Sequence, residues 1–417
     1  MQVIVFEDEK VGRFMPLVGL KPVYGLHAGA MSLKARFEAA AVDPLRLTWH
    51  LRGHIAASFA EANPGATVNT IAAEDLLLLN GRLVCDERVA GLFAGDPLEP
   101  GRALLQEGSL VACRLRASDL PQGGQQLPDL IDGLALAATM ASAEVSGFLM
   151  LENIWDPVAL HPALMHRDRA SFPLGRLDGE VHPSAVLVNP EALSIAPGAR
   201  VMAGAVLDAS EGYIHIGEGA VVEPQSVLMQ NVVLAPGSRA KIGAKIYSNV
   251  FVGAMSKAGG EIEDSVIEPF ANKQHDGFLG HSYLSSWCNL GAATNTSDLK
   301  NNYSRVGLEI GGSRVQTGLQ FLGLLMGEHS KCAIGSLFNT GTVVGTSANI
   351  FGAGMPPKYV PSFSWGNGRP AFDACLIDNA VETARRVMGR RSIAMSAAYE
   401  AMFRAASALE PLPAATL

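Results

Sequence analysis

The sequence feature that most constrains the fold is a six-residue repeat in the middle of the chain. An aliphatic residue or alanine recurs there at every sixth position. The seven consecutive positions are Ile216, Val222, Leu228, Leu234, Ala240, Ile246 and Val252. Each hexad predicts one short strand, and three strands predict a triangular coil whose inward residues stack on their counterparts 18 residues away. The repeat therefore predicts a parallel β-solenoid.

Small residues support this architecture, because they leave room for tight corners between short flat strands. They occupy the fourth place after most repeat positions, at Ala220, Ser226, Ser238, Ala244 and Ser256. The same phase returns upstream and downstream, at Ile195, Val201, Phe338, Val344 and Ile350. The alternative is an ordinary β-sandwich with accidental spacing.

The zones that flank the repeat differ from it in composition. The first opens with the strand-like run VIVF, continues with helical spacing through residues 33–41 and 51–62, and reaches a second apolar run at residues 76–84. Strands that alternate with helices indicate an α/β domain. The last zone is rich in Ala, Met, Arg and Glu, which predicts one or two helices. The predicted domains are residues 1–175, 176–370 and 371–417.

Charge and cysteine content exclude several classes of protein. The chain has 32 Lys and Arg against 40 Asp and Glu, a formal net charge of −8, which argues against a nucleic-acid partner. Its five cysteines are odd in number, scattered and never spaced as CxxC, which argues against a disulfide framework and a zinc knuckle.

The start of the chain and its most apolar stretch bear on localisation. The opening MQVIVFEDEK is acidic where a signal peptide would be basic. The stretch 134–151 contains Glu144 and Ser146 and falls short of a membrane span. We therefore expect a soluble cytoplasmic protein with no membrane partner.

The hexad period weakens between Glu261 and Ser330, where the sequence becomes polar. Residues 271–303 read ANKQHDGFLGHSYLSSWCNLGAATNTSDLKNNY. His275 is followed there by Phe278-Leu279-Gly280 and then by Asn289-Leu290-Gly291-Ala292. This order resembles the signature of the hexapeptide-repeat acyltransferases. More closely, it is similar to the bifunctional N-acetylglucosamine-1-phosphate uridyltransferase/glucosamine-1-phosphate acetyltransferase family and its sugar nucleotidyltransferase relatives, most densely over residues 241–366.

The resemblance implies an architecture and an activity. The fold would be a nucleotidyltransferase-like α/β domain, a left-handed parallel β-helix and C-terminal helices, assembled as a homotrimer with active sites between subunits. The activity would be transfer of an acyl group from acetyl-CoA or another acyl-CoA to an amino sugar phosphate or nucleotide sugar. The upstream domain would make or bind the nucleotide sugar.

The resemblance also implies three catalytic roles. His275 would be the general base that takes a proton from the sugar amine, a task that an imidazole of ordinary pKa, about 6.5, can perform at physiological pH. Asn289 would orient the sugar or the base. The backbone N–H of Ala292 would stabilise charge on the thioester oxygen. The structural alternative is that His275 is a hydrogen-bonded corner residue and that Asn289 occupies a left-handed corner.

Substrate contacts follow the family pattern with departures. Lys245 lies at the offset of one basic residue that holds the sugar phosphate in the family. Glu263 falls near the place of a second basic residue of the family, and Lys273 could take the role of that residue. Phe278 stands where the family has tyrosine, so that a sugar-contacting hydroxyl is missing. Asn302 and Tyr303 correspond to the sugar-contacting Asn-Tyr pair of the family, but an insertion displaces them along the sequence. The predicted substrate-binding residues are Lys245, Lys273, Phe278, Asn302 and Tyr303.

The N-terminal zone resembles a nucleotidyltransferase less closely. Such enzymes cradle a triphosphate in a glycine-rich loop followed by Arg and by Pro-Lys. Arg13 and Lys21 are the predicted nucleotide-binding residues, but the loop lacks repeated glycines. Arg82 follows Gly81 where the family has a Mg²⁺-binding aspartate, so the carboxylate is lost unless Asp8 or Asp86 replaces it. We expect nucleotide binding with weak or no Mg²⁺-dependent activity.

Two rival functions stay open at this point. A metal-dependent lyase of the γ-carbonic-anhydrase type would use a β-helix and three histidines, for which His275, His281 and His329 are available. A non-enzymatic scaffold or sensor would bind a nucleotide sugar without turnover. A metal assay tests the first and a turnover assay the second.

Overall fold

The computed structural model describes residues 1–41, 47–72, 74–94, 98–116, 118, 127–369 and 371–409. It contains an N-terminal α/β part, a parallel β-helix and two C-terminal helices. The predicted fold class is therefore confirmed. The division of the chain at residues 175 and 370 stays a prediction.

The N-terminal part is a seven-stranded mixed sheet with helices against it. Its strands are β1 (Gln2–Phe6), β2 (His27–Ala28), β3 (Met31–Ser32), β4 (Leu47–His50), β5 (Thr67–Val68), β6 (Leu76–Asn80), β7 (Arg102–Gln106), β8 (Ser109–Leu115) and β9 (Ala141–Glu144). Its helices are α1 (Leu33–Ala40), α2 (Gly53–Ala62), α3 (Glu87–Ala94), α4 (Gly133–Ala137), α5 (Asp156–Ala159) and α6 (His161–Asp168).

The sheet order is β5-β4-β1-β6-β8-β7-β9, and β2 pairs with β3 separately. Strand β1 pairs in parallel with both β4 and β6, whereas β8 is antiparallel to β6. Every residue of β1 and β6 is buried, as expected for central strands that are covered on both faces. The carboxyl ends of β1, β4 and β6 therefore meet at one edge of the sheet, which is where α/β proteins bind ligands.

The β-helix is built from short strands that begin after α6. They are β10 (Glu180–Val181), β11 (Val186–Val188), β12 (Leu193–Ile195), β13 (Arg200–Val201), β14 (Val206–Asp208), β15 (Ile214–Ile216), β16 (Val221–Val222), β17 (Val227–Met229), β18 (Val232–Leu234), β19 (Arg239–Ala240), β20 (Lys245–Val252), β21 (Lys257–Ala258), β22 (Glu261–Ile267), β23 (Asn272–Lys273), β24 (Phe278–Gly280), β25 (Tyr283–Leu284), β26 (Asn295–Thr296), β27 (Gly307–Ile310), β28 (Ser313–Gln316), β29 (Leu324–Met326), β30 (Lys331–Cys332), β31 (Leu337–Phe338), β32 (Thr342–Val344), β33 (Asn349–Ile350), β34 (Tyr359–Val360), β35 (Ser364–Gly366) and β36 (Asp373–Ala374). The C-terminal helices are α7 (Ile377–Gly389) and α8 (Ala397–Ala406).

Most of these strands form three parallel faces, whereas β27 and β28 form a separate antiparallel hairpin and β36 pairs antiparallel with β35. The first face runs β10-β13-β16-β19-β21-β23 and continues through bridges at Asn289 to β30, β33 and β35. The second face runs β11-β14-β17-β20-β22-β24, and the third runs from β12 through β15 and β18 to β34. Strand β20 turns the corner between the second and third faces, with a register shift between Tyr247 and Val250.

The seven repeat positions all point inward and are 0% exposed. Leu228 pairs in register with Ile246 and Leu234 with Val252, which confirms the 18-residue stacking. The spacing is wider at the start of the β-helix, where Ile195 pairs with Ile216, because a longer loop joins β14 to β15.

The corner serines do more than save space. The Ser226 hydroxyl donates to the Lys241 carbonyl at 2.7 Å, and the Ser256 hydroxyl donates to the Glu268 carbonyl at 2.7 Å. Both serines are fully buried, so these bonds satisfy polar groups that would otherwise be costly inside the coil.

The outer side of the third face is apolar rather than polar. It presents Tyr213, Val233, Phe251, Val266, Tyr283, Leu325 and Val343, all buried. These side chains belong to one hydrophobic cluster with residues of the N-terminal sheet and of α7 and α8. The inward residues of the coils form a second cluster. The N-terminal part and the C-terminal helices therefore pack on the β-helix around a shared core.

No helix within the described residues combines the length and the apolar character that crossing a membrane requires. All five cysteines have unpaired thiols, as their irregular spacing predicts.

Candidate active site

The structure brings two of the three predicted catalytic residues to the same corner of the β-helix. Asn272 pairs with Asn289 on the first face, and the same offset of 17 residues places the His275 turn next to the Ala292 turn. Adjacent coils of a sheet lie about 4.8 Å apart. His275 is exposed, and its ring forms no hydrogen bond with any described residue. An imidazole in this position can reach a ligand from solvent.

Close backbone approach explains the glycine of this corner. A Cβ at Gly277 would lie 2.0 Å from the Thr294 carbonyl oxygen, and the residue has φ of +123°. Only glycine fits there. Below the corner, the buried Lys273 ammonium donates to the carbonyls of Gly259 and His275 at 2.8 and 2.6 Å. Lys273 thus fixes the His275 turn from inside.

This position corrects the prediction that Lys273 contacts substrate. Its side chain is inside the coil, 1% exposed, and burial lowers its pKa to about 8. Lys245, in contrast, is exposed and lies 4.0 Å from a Glu261 oxygen, so it is available to an anionic group.

Phe278 lies beside an acidic cluster that the sequence did not reveal. A Cβ at Gly280 would lie 2.5 Å from the Phe278 ring and 2.4 Å from an Asp298 carboxylate oxygen, which shows how closely both pack there. Glu263, His281 and Asp298 place one ligand atom each within 4.8 Å of one another. Nitrogen and carboxylate ligands of this kind can hold a divalent ion or orient an imidazole.

Carboxylates surround the His281 ring. Its Nδ1 lies 2.8 Å from Asp298 and its Nε2 lies 3.8 Å from Asp264. Burial lowers the pKa of His281, but Asp298, Asp264 and Glu263 outweigh burial and raise the pKa above its ordinary value. Burial and neighbouring carboxylates also raise the pKa of Glu263. The cluster therefore favours a positive charge.

The insertion before β29 carries the predicted Asn302 and Tyr303. Asn289 pairs with Lys331, 42 positions later, because residues 297–323 leave the coil and form the hairpin of β27 and β28. Tyr303 is 69% exposed, and the Asn302 side-chain oxygen Oδ1 accepts hydrogen bonds from the backbone N–H and the hydroxyl of Ser304. These two residues stand on an exposed loop.

The three histidines of the metal-lyase alternative do not meet within the chain. His275 is exposed, whereas His281 belongs to the acidic cluster. His329 is 1% exposed, its Nε2 lies 2.8 Å from the Tyr399 hydroxyl, and burial holds its pKa well below the ordinary range. A buried imidazole bonded to α8 does not fit a zinc site shared between subunits, so this three-histidine site is not supported.

At the edge of the N-terminal sheet, two arginines neutralise the carboxylates that follow β1. Arg52 binds Glu7 through Nε and Nη2, at 3.0 and 3.1 Å. Arg82, 0% exposed, binds Asp8 at 2.7 Å and also donates to the Leu151 carbonyl. Asp86 accepts the N–H groups of Arg88 and Val89 at the start of α3.

This arrangement does not fit a Mg²⁺ site. The ion needs carboxylate oxygens that are free to coordinate it. The Arg82 guanidinium instead forms a salt bridge with the Asp8 carboxylate, and the Asp86 carboxylate caps the start of α3.

Arg13 lies at the same edge of the sheet. Its Nη1 is 3.7 Å from Glu152, while Nε is buried without a partner among the described residues. Lys10 and Arg82 also approach Glu152, at 4.0 and 2.6 Å. Three cations thus face two carboxylates, Asp8 and Glu152. The one positive charge in excess suits a phosphate group.

Lys21 lies elsewhere, which corrects its predicted role. Its ammonium is at the junction with the β-helix, where it donates to Glu268 and lies 3.6 Å from Glu328. Tyr283 donates to Glu268 at 2.6 Å. Burial lowers the pKa of Lys21, but the two carboxylates outweigh burial and raise it. Lys21 therefore joins two parts of the chain and is not free for a nucleotide.

The two carboxylates of this junction respond to pH in opposite ways. Burial raises the pKa of Glu268, but Lys21 and His27 outweigh burial and lower it to about 2. Burial raises the pKa of Glu328 to about 7, because Lys21 offsets only part of that cost. Between its unfolded pKa of about 4.3 and pH 7, the native protein retains a proton on Glu328 that the unfolded chain releases. Glu328 thus lowers stability as pH rises through this window.

We expect Glu328→Gln to gain stability over the wild type as pH rises from 5 to 7.5, because the amide removes that proton release. Thermal melts across this range measure the gap. Glu268→Gln is the matched control and should destabilise the protein at every pH in the range. The lowered pKa of wild-type Glu268 contributes stability above about pH 4.3, and this contribution is lost only in stronger acid. Parallel pH profiles for the wild type and Glu328→Gln would contradict the assignment.

The class of protein is indicated first by the N-terminal part. Residues 3–176 match the family model described as sugar nucleotidyl transferase. The chain is also similar to a bifunctional sugar-1-phosphate nucleotidylyltransferase/acetyltransferase from Sulfurisphaera tokodaii, with 23% identity over 231 residues that cover 55% of this chain. The matched region is 51% of that relative, so the chain spans about half of its length. These matches confirm the resemblance that the sequence motifs show.

Two solved structures are also similar in part. One is a UDP-N-acetylglucosamine acyltransferase from Arabidopsis, with 15% identity, a TM-score of 0.24, and coverage of 52% of this chain and 77% of that one. The other is a UDP-N-acetylglucosamine acyltransferase from Campylobacter jejuni, with 14% identity, a TM-score of 0.20, and coverage of 56% and 98%. The β-helix described above is established by its own strand register and not by these similarities.

Proposed function

We propose that the protein is a sugar-nucleotide enzyme whose β-helix transfers an acyl group from acyl-CoA to the amine of an amino sugar phosphate or nucleotide sugar. The observation that carries the proposal is the exposed His275 turn stacked beside the Ala292 turn, in a chain whose N-terminal part matches sugar nucleotidyl transferases. The N-terminal part binds a nucleotide or nucleotide sugar in this proposal.

The proposed chemistry assigns one task to each residue of the corner. His275 takes a proton from the amine while the amine nitrogen attacks the thioester carbon. The N–H of Ala292 stabilises the oxyanion of the tetrahedral intermediate. The C–S bond then breaks, and the CoA sulfur leaves and takes up a proton. Asn289 lies outside this corner, because its side chain faces the cavity beneath the end of α7 and accepts a hydrogen bond from Asn272.

The acidic cluster bears on the choice of acceptor. Glu263 and Asp298 lie beside Phe278, where they attract an ammonium group and repel a phosphate dianion. The exposed Lys245 and the loop of Asn302 and Tyr303 are then the proposed contacts for the phosphate-bearing and hydroxyl-bearing parts. The proposal therefore favours an acceptor whose amine, rather than its phosphate, lies near Phe278.

We further propose a homotrimer located in the cytoplasm. The His275 turn lies open to solvent in one chain, and a second copy placed against this edge would supply the missing wall of the site. The shared core of the N-terminal part and the third face leaves this edge of the coil free for such a contact.

Acyl transfer is tested with the purified protein, acetyl-CoA and longer acyl-CoAs, and a panel of amino sugar phosphates and amino nucleotide sugars. Release of free CoA thiol measures turnover. We expect turnover with at least one amine acceptor and none with the N-acetylated form of the same sugar. Binding of nucleotide sugars without turnover for any pair would instead support the scaffold alternative.

The N-terminal part is expected to bind a nucleotide or nucleotide sugar but to have weak or no Mg²⁺-dependent pyrophosphorylase activity. Attack on the α-phosphorus of a triphosphate needs a metal to gather charge on the leaving pyrophosphate, and Arg82 already neutralises Asp8. Pyrophosphate release is measured with each nucleoside triphosphate and several sugar-1-phosphates, with and without Mg²⁺. A thermal shift on adding nucleotide sugar should shrink in Arg13→Gln.

Two outcomes would overturn this expectation. Robust Mg²⁺-dependent turnover that disappears in Asp8→Ala would show that Asp8 exchanges its guanidinium partner for the metal. An absence of both turnover and nucleotide binding would leave the N-terminal part with a purely structural role.

A further inference from the structure

One outer face of the β-helix carries a column of hydrogen-bond donors. Strand register aligns one outward residue from each of six successive coils of the first face. The column consists of Arg239, Lys257, Asn272, Asn289, Lys331 and Asn349. Successive members lie about 4.8 Å apart, the spacing of neighbouring strands. The column contains three cations and three amides, and it contains no carboxylate.

The end of helix α7 covers the middle of this column. Between them lies a cavity of about 350 Å³, whose walls include Lys257, Asn272, Asn289, Lys331, Arg390 and Arg391. We call this space the α7 cavity. Arg391 holds the helix end to the column, since its Nη2 donates to the side-chain oxygen Oδ1 of Asn272 at 2.9 Å.

The four cations of the α7 cavity lack acidic partners. Within the described ranges, no carboxylate forms a salt bridge with Lys257, Lys331, Arg390 or Arg391. The Lys331 ammonium donates only to the His329 carbonyl, at 2.6 Å, among described partners. Burial and the neighbouring cations, chiefly Arg391, lower the pKa of Lys257, and burial lowers that of Lys331 to about 8. Positive charge is thus concentrated here at a cost that an anion would relieve.

The amides extend the donor set. The Asn272 Oδ1 accepts a hydrogen bond from Arg391, and the Asn272 Nδ2 lies 3.4 Å from the Asn289 Oδ1. This chain of bonds uses the acceptor oxygens of both amides. The Asn289 amide nitrogen is left as the last donor, between Lys257 and Lys331 in the column.

We propose that the α7 cavity binds the phosphates of a small molecule that contains a pyrophosphate linkage. Donors on successive coils suit two linked phosphates better than one, because each phosphate can accept hydrogen bonds from a different coil. Acyl-CoA and nucleotide sugars both contain this linkage, so the shared chemistry is the phosphoanhydride. The site stands on the column and on α7 and does not depend on acyl transfer at His275.

Isothermal titration of the full-length protein with inorganic pyrophosphate tests the site directly. Lys257→Gln and Arg390→Gln each remove one charge, and each should weaken pyrophosphate binding about tenfold or more, since a hydrogen bond to a charged group contributes about 1.5–3 kcal/mol. Arg314→Gln is the matched control, because it removes one exposed charge from β28 and should leave the affinity within about twofold. Circular dichroism confirms that each variant is folded.

The source of the phosphates is distinguished by titrating CoA, dephospho-CoA and uridine diphosphate N-acetylglucosamine. Loss of affinity in Lys257→Gln and Arg390→Gln for the CoA pair, or for the nucleotide sugar, supports the site and identifies its ligand class. An undetectable affinity of the wild type for all four probes would overturn the proposal. Equal effects of Arg314→Gln and Lys257→Gln would also overturn it, because they would reflect net charge alone.

Discussion

Leu228→Asp is expected to abolish folding of the β-helix. Leu228 is 0% exposed and stacks in register between Leu207 and Ile246. The substitution loses about 2 kcal/mol of leucine burial and places a carboxyl group among aliphatic side chains at a further cost of several kcal/mol. Native domains are stable by only about 5–15 kcal/mol. The circular dichroism spectrum and the thermal melt of the purified variant test this expectation.

Met229→Asp provides the matched control. Met229 is the next residue of the same strand, points outward and is 39% exposed. Its replacement introduces the same carboxyl group without burying it, so the melting transition should stay close to that of the wild type. If Leu228→Asp melted like Met229→Asp, the inward stacking of the hexads would not be what stabilises this part of the chain.

His275→Ala is expected to lower acyl transfer by about 10²–10⁴-fold, the usual contribution of a general base. The effect should fall on kcat, with acyl-CoA binding retained, because the substitution removes a proton acceptor and leaves the backbone in place. The His275 carbonyl still accepts from Lys273, and the ring contacts no described residue by a hydrogen bond. Stability should therefore change by less than about 0.5 kcal/mol.

His182→Ala serves as the control for removal of an exposed imidazole. His182 lies near the start of the β-helix, where its ring bonds to Ser184 at 2.8 Å. Turnover in this variant should equal that of the wild type. Wild-type turnover in His275→Ala would exclude His275 as the base, and parallel loss of acyl-CoA binding and turnover would assign it a structural role in forming the donor site.

The sequence motifs were sufficient to locate the corner at His275 but not its surroundings. The spacing from His275 to Ala292 is 17 residues, the same as the spacing of the paired residues Asn272 and Asn289, so the two turns stack. The acidic cluster, in contrast, joins residues from three coils, and only the register shows that Glu263 faces His281. The α7 cavity was missed for the same reason. One signal was present: Arg239, Lys257 and Lys331 each directly precede an inward small or sulfur-containing residue.

Lys21 and Lys273 differ from the roles that the sequence predicts. A lysine near the expected offset carries the charge that binds a phosphate, so the sequence predicts a phosphate contact for each. The structure gives each an internal partner instead: carboxylates of the β-helix for Lys21 and backbone carbonyls for Lys273. A sequence shows which charge a side chain carries but not whether that charge is already neutralised by a residue 247 positions away.

The sequence by itself determined the β-helix, because a six-residue period leaves one consistent way to bury every repeat position and each coil contacts only its neighbours. It also determined the α/β character of the first part, through apolar runs that only central strands can bury. Tertiary structure alone decided how these parts combine. The third face packs against the N-terminal sheet, Arg82 forms a salt bridge with the Asp8 carboxylate, and α7 covers the donor column. These are contacts between residues distant along the chain, and no local period or spacing specifies them.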